Sequence, residues 1–206
     1  MGGTTTAGRG VLGRARGFVT GRPTSQKVGG GVAAALLASA PFGGLASVPE
    51  PGPEPITTGK AIMVGPYKVV VDKVVELPDL KPAVSPLPSQ RVLVLDTHVT
   101  LTGDRPEYSG TLTNNVGVSG GGVKVVERPR LYFVEDSTAM TSFNPGLTYR
   151  LALTYVTSGP WQGDAVTIKS NLVEFREEDK QTLDPDAWVA RDEVQWQGTL
   201  PLVRRP

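Results

Sequence analysis

The sequence predicts an all-β protein, a two-sheet antiparallel sandwich preceded by one N-terminal transmembrane (signal-anchor) helix. Three observations predict it. From residue 60 to residue 206 apolar and polar side chains alternate with the period of two that a half-buried strand requires. Turn residues interrupt that pattern at intervals of roughly 8–20 residues, as a sandwich of short strands demands. Ahead of it, Val28–Val48 is the one long run without a charged side chain. The chain therefore divides into a disordered basic tail (1–27), a membrane segment or signal-peptide core (28–48), a Pro-rich linker (49–59) and the sandwich domain (60–206).

The tail carries Arg9, Arg14, Arg16, Arg22 and Lys27 and no acid. Cations concentrated just before an apolar run put the N-terminus in the cytoplasm and the rest of the chain outside. At 21 residues the run matches the roughly 20 needed to cross the hydrocarbon core. It is diluted by five glycines and interrupted by Pro41. A cleaved signal peptide and a soluble Gly/Ala-rich segment are the alternatives. The long basic stretch and Pro41, directly after Ala38-Ser39-Ala40, favour the uncleaved anchor. The Pro-rich 49–59 segment reads as a semi-stiff spacer.

Charge and composition narrow the function. The whole chain carries +1, but removing the five tail cations leaves 16 Lys and Arg against 20 acids, a balance of −4. A mildly acidic outer domain argues against nucleic acid as a partner. There is no cysteine, which excludes disulfides, thiol nucleophiles and thiolate metal sites.

Along the domain, Tyr67–Leu77 reads as a half-buried strand with Tyr67, Val69, Val71, Val75 and Leu77 on one face. Residues 78–90 hold four prolines and form a loop. Arg91–Thr102 is the strongest strand. Leu93, Leu95, Val99 and Leu101 share one face and Asp96, His98, Thr100 and Thr102 the other. Val92 and Val94 make its first half apolar on both sides, which places it centrally in its sheet. Weaker strands follow near 108–113, 116–118, 123–126 and 131–134, with Gly120-Gly121-Gly122 as a hairpin turn. Tyr149, Leu151, Leu153 and Tyr155 mark another strand. In Val166–Phe175 the apolar phase flips by one residue after Leu172, which a β-bulge would absorb. Asp184–Ala190 has room for one helical turn, and Glu193–Val203 is the last strand.

The order of these segments, TGKAIMVGPYKVVVDKVVEL, RVLVLDTHVTLTGDRPEYSGTL and FNPGLTYRLALTYV before a Trp-containing tail, resembles a set of uncharacterised bacterial single-span membrane-anchored proteins. Their outer domain is similar to the telokin-like, immunoglobulin-like sandwiches of many bacterial surface proteins. Val99-Thr100-Leu101-Thr102-Gly103 stands at one family motif, with Leu101 where an Asn is common. Pro145-Gly146-Leu147-Thr148-Tyr149 stands at another. The resemblance implies an immunoglobulin-like fold for residues 60–206 and assigns no catalytic or ligand residue.

Reactive chemistry is sparse. His98, the single histidine, sits mid-strand beside Asp96 on the outer face, where a solvated or hydrogen-bonded surface pair is the better reading than a catalytic dyad. Glu135-Asp136, Glu177-Glu178-Asp179 and Asp184-Pro185-Asp186 are acidic turns without the spacing of a calcium loop. No catalytic, cofactor or metal residue is assigned. Trp161, in a Ser-Gly-Pro-Trp-Gln-Gly loop, and Tyr108 are the candidate partner contacts, and for Trp161 the competing reading is an aromatic that caps the core. The expected function is a non-catalytic, membrane-tethered extracytoplasmic module that contacts an envelope protein. The alternative is a ligand- or metal-binding envelope protein, or an enzyme, that uses acidic loops at one end of the sandwich.

Overall fold

The fold is organised by a strand whose two faces are both apolar in its first half. In the computed structural model, which describes residues 52–178 and 185–205, this is β4 (Arg91–Leu101). Its odd positions Leu93, Leu95, Val99 and Leu101 enter the main core, and Val92 and Val94 are buried on the opposite face. Flanking it antiparallel are β3 (Tyr67–Leu77) and β9 (Thr148–Thr157). The β2 strand (Ala61–Val64) pairs with β3, and β7 (Arg130–Phe133) with β9.

The second layer consists of β6 (Val116–Ser119), β10 (Ala165–Glu178) and β11 (Pro185–Arg204), joined on β11 by the two-residue β1 (Glu54–Pro55). A separate ribbon pairs β5 (Glu107–Tyr108) with β8 (Ser142–Phe143). The 20-residue β11 belongs to both layers. It pairs with β10 up to Pro201, then runs parallel to β3 at Leu202–Arg204. One sheet is thereby folded over itself into a sandwich. Tyr67, Leu95, Leu153 and Tyr155 of one layer meet Val116, Val166, Ile168 and Leu200 of the other in a single core. The Tyr155 hydroxyl donates to the Val116 carbonyl at 2.8 Å and ties the layers together. Burial drives its pKa well above the ordinary phenol value, so it stays a donor.

The architecture is the expected two-layer sandwich, with the correction that β1–β11 and β11–β3 are parallel pairs. Several local expectations change. Register slips between Val71 and Lys73 because Asp72 bulges out. Beyond the bulge Val74 and Glu76 face the core side, and Val75 and Leu77 move to the outer face, opposite to the simple alternation. The flip expected in β10 is present, as shifts between Ser170, Asn171 and Val173. Gly110–Thr113, expected as strand, is a single helical turn, α1. Ala187–Ala190, where one helical turn was allowed, is strand. Gly120–Gly122 is a turn, but it carries the chain from β6 in one layer to β7 in the other rather than closing a hairpin.

The spacer expected over 49–59 is corrected in its described part. Pro55 and Glu54 pair with β11, and Ile56 is buried in the core. The segments 1–27 and 28–48, and the membrane crossing expected of the latter, lie outside the described residues. Among the described residues no helix is long and apolar enough to cross a membrane.

Ile56 passes directly over Gly198. A methyl group on Gly198 would stand 2.1 Å from the Ile56 carbonyl oxygen, which backbone cannot yield cheaply. We expect Gly198→Ala to cost about 2 kcal/mol in urea unfolding of the full chain, the scale of overpacking. Gly117→Ala, which meets nothing within 4 Å, should leave the midpoint unchanged or raised.

Candidate functional site

The outer face of the β3–β4–β9–β7 layer changes character along its length. At one end Val92, Val94 and Ala152 form a second apolar cluster with Leu77, and the Pro-rich 78–90 segment covers part of it with Leu80 and Val84. That segment is pinned by reciprocal bonds between Leu80 and Val84, N to O at 2.9 and 2.8 Å. The cover is incomplete. Between it and the turn after β7 lies a groove of about 220 Å³ whose floor is Val75, Val94 and Ala152 and whose far wall is Phe133, Val134 and Ser137.

Asp96 closes the polar side of the groove. Its side chain is 9% exposed and receives Arg150 Nε at 3.2 Å on Oδ1 and Nη2 at 2.9 Å on Oδ2, with Lys73 Nζ at 3.2 Å from Oδ2. Burial pushes the Asp96 carboxyl up, but the hydrogen bonds and charges of Arg150 and Lys73 outweigh it and hold the pKa below the ordinary value. One carboxylate thus anchors two half-exposed cations, and Glu135 and Asp72 act on Arg150 through space.

At the opposite end the groove meets an open cleft of about 430 Å³ through Leu77 and Arg205. The rest of its lining is Glu76, Pro78, Arg91 and Arg204. The bulge at Asp72 is what turns Glu76 inward here, where it is 7% exposed. Its carboxylate accepts the Trp161 backbone N–H at 2.6 Å and lies 3.5 Å from Arg204 Nε. Arg204 also pairs with Asp164 at 2.8 Å, and that hydrogen bond is the main reason its pKa rises. Arg91 Nη1 donates only to the Gln90 and Pro88 carbonyls, at 2.8 and 3.4 Å. Among the described residues no carboxylate pairs with Arg91 or Arg205.

The two residues marked as partner contacts part company, and Trp161 is a correction. It is 3% exposed, its ring seated over Gly121, where a Cβ would fall 2.3 Å away, and its Nε1 donates to Ala165 O at 2.9 Å. The Ser-Gly-Pro loop folds inward because Glu76 supplies an acceptor for its backbone. Tyr108 is 77% exposed, at the other end of β3, where its carbonyl accepts from the Tyr67 hydroxyl. Beside it lies a second cleft of about 340 Å³, lined by Pro66, Gly103, Asp104, Arg105, Glu107, Phe175 and Trp188. Burial raises the Glu107 pKa against the pull of Arg105.

His98 and Asp96 share the outer face but not a bond. His98 Nδ1 lies 2.7 Å from Asp72 Oδ2 on the neighbouring strand, while Asp96 serves the two cations. Of the acidic turns, Asp136 is occupied in its own loop, accepting from Thr138 N at 2.8 Å. Asp179 and Asp184 lie outside the described residues. No group of three or more potential metal ligands occurs among the described residues. The groove residues Lys73, Arg150 and Arg205 were not singled out by sequence reasoning. The available signal was Asp96, the acid that follows Val92 and Val94 on the outer face of β4.

No protein-family profile matches the chain, and no curated protein matches it. A solved structure, an uncharacterized beta-sandwich protein from Clostridium difficile 630, is similar in fold at 9% identity and a TM-score of 0.46. The match covers 74% of this chain and 97% of that one. At that identity no groove residue is carried over.

Because the Asp96 carboxyl has a lowered pKa, its stabilisation is complete above the unfolded-state value near pH 4 and is lost as pH falls through the folded value. Asp96→Asn should therefore cost about 2 kcal/mol at neutral pH, the scale of a charge-assisted hydrogen bond. The gap to wild type should close below about pH 4, read by urea unfolding across pH.

Proposed function

We propose that the protein is a non-catalytic binding module held on the outer side of a bacterial membrane by residues 28–48, its domain of the telokin-like, immunoglobulin-like kind, with an envelope protein as its partner. The observation that carries the binding role is the groove. It is an apolar recess on a sheet face, floored by Val75, Val94 and Ala152 and bounded by cations paired with one carboxylate. An apolar recess with a few placed polar groups at its rim is the usual form of a recognition site. The tethering is supported by the five cations that precede an uncharged 21-residue run.

The acidic-loop alternative has one specific observation in its favour, the cleft where Asp104 and Glu107 stand near Phe175 and Trp188. Only two carboxylates line it, and Arg105 lines it with them. The groove is the better-supported site because Asp96 holds Arg150 by two hydrogen bonds and Lys73 by an ion pair at its rim.

The test combines topology with the groove. A protease-sensitive tag after Pro206 should be cut from outside intact spheroplasts. Tagged full-length chain captured from native membranes should bring down a defined complex. Val134→Glu, an exposed groove position, should reduce that complex at least roughly tenfold, the loss expected from placing a charge in an apolar contact, with an unchanged unfolding midpoint. A tag protected inside the cell, or a complex indifferent to the variant, would overturn the reading.

A further inference from the structure

We infer that the groove and the arginine cleft together receive an acidic peptide segment that inserts one apolar anchor side chain. The inference rests on the binding role proposed above and names the chemistry of the occupant.

Size comes first. A cavity of about 220 Å³ falls below the roughly 300–1,000 Å³ of sites that enclose a whole small ligand. It suits one large side chain of a larger partner, the way interface anchors are held. The floor crosses β3, β4 and β9, two inter-strand spacings or roughly 10 Å. About three residues of extended chain span that distance.

Charge selects the flanks. Lys73 and Arg150 share Asp96 at one end, and Arg204 is offset by Asp164 and Glu76. Arg91 donates through Nη1 alone to backbone carbonyls, and Arg205 lines both cavities. The carboxylates that these cations bond are Asp96, Asp164 and Glu76, and Glu135 and Asp72 act on Arg150 through space. The surplus is therefore located on Arg91 and Arg205, with which no carboxylate pairs among the described residues. Guanidinium groups suit carboxylates of a peptide, which they bind in a planar fork. The apolar floor between the two charged ends demands an anchor such as Leu, Phe or Trp. A basic or uniformly polar segment would leave the floor wet and the arginines opposed.

The test uses full-length protein in detergent micelles and a random peptide library displayed on phage. Selection should enrich peptides with one large apolar residue flanked by Asp or Glu. The most enriched peptide, synthesised and titrated, should lose roughly tenfold or more in affinity against Arg91→Glu/Arg205→Glu, as like charges oppose across the interface. Rising salt should weaken it in wild type. Arg205→Glu alone serves as the second variant, since its side chain is exposed. Leu147→Ala, exposed in the turn beside Leu101 at the other end of β4, should bind as wild type does. No enrichment, enrichment without acidic bias, or equal affinity for the charge-reversed chain would overturn the inference. Neutral apolar peptides that bind wild type but not Val134→Glu would overturn the acidic occupant and leave the binding role standing. Concentration-dependent self-association abolished by Arg205→Glu would assign the site to a second copy of the chain and overturn it too.

Discussion

The constraint on which this structure depends is that β4 has two faces to bury in its first half and only one partner layer. Leu93 and Leu95 go to the core between the layers, while Val92 and Val94 point the other way. Exposing such a surface costs about 25 cal/mol per Å² of apolar area left in water. The chain answers with the Pro-rich 78–90 segment, which no sheet could incorporate and which is free to fold back as a lid of Leu80 and Val84. Between the lid and the wall of Phe133, Val134 and Ser137 a groove remains, so the face toward Asp96 is neither filled nor fully polar. The groove is the remainder of an incompletely solved burial problem.

Two irregularities in the pleat convert that remainder into a shaped site. The bulge at Asp72 moves every later side chain of β3 to the other face, because a slip of one residue exchanges the two sides of a strand. Val75 and Leu77 reach the groove by this slip, and Lys73 reaches Asp96. The same slip drives the carboxylate of Glu76 inward, a costly position unless it is satisfied. The Trp161 N–H and Arg204 satisfy it, which pulls the Trp161 loop into the core and brings the last residues of β11 alongside β3. The arginine cleft is therefore a consequence of where the bulge falls. No side-chain polar atom is left buried without a partner among the described residues.

These relations explain which parts of the fold were legible in the sequence. The sandwich, the central place of β4 and the phase flip in β10 were legible because each leaves an unambiguous apolar pattern. The Asp72 bulge was not, since VVVDKVV offers a Val at both phases and either register buries an apolar face. Glu76 then read as solvent-facing when it is buried. Trp161 read either as an exposed partner contact or as an aromatic capping the core, and what decides for the core is an acid 85 residues earlier in the chain whose orientation depends on that same bulge. The 52–56 segment read as spacer, since two residues of parallel pairing leave no periodicity and Ile56 is a lone apolar residue among prolines. The groove was illegible for a simpler reason. Lys73, Asp96, Arg150 and Arg205 come from four distant stretches, and no spacing rule joins them. Only Asp96, where the outer face of β4 turns from Val92 and Val94 to polar residues, marked the place in the sequence.

The position of Asp96 also sets the sign of the site. A lone carboxylate so buried would be pushed toward its neutral form. Arg150 in a two-point bond and Lys73 beside it reverse that tendency, so the acid stays charged and the two cations stay ordered. Side-chain ordering is a cost that a flexible surface lysine or arginine would otherwise meet on binding. Here it is met in the folded chain, since both cations are already fixed at the rim of the apolar floor. One anion holding two cations gives the rim a geometry that is set before any partner arrives. A groove built in that way discriminates by charge as well as by shape, because a basic segment would face Arg91 and Arg205, with which no carboxylate pairs among the described residues.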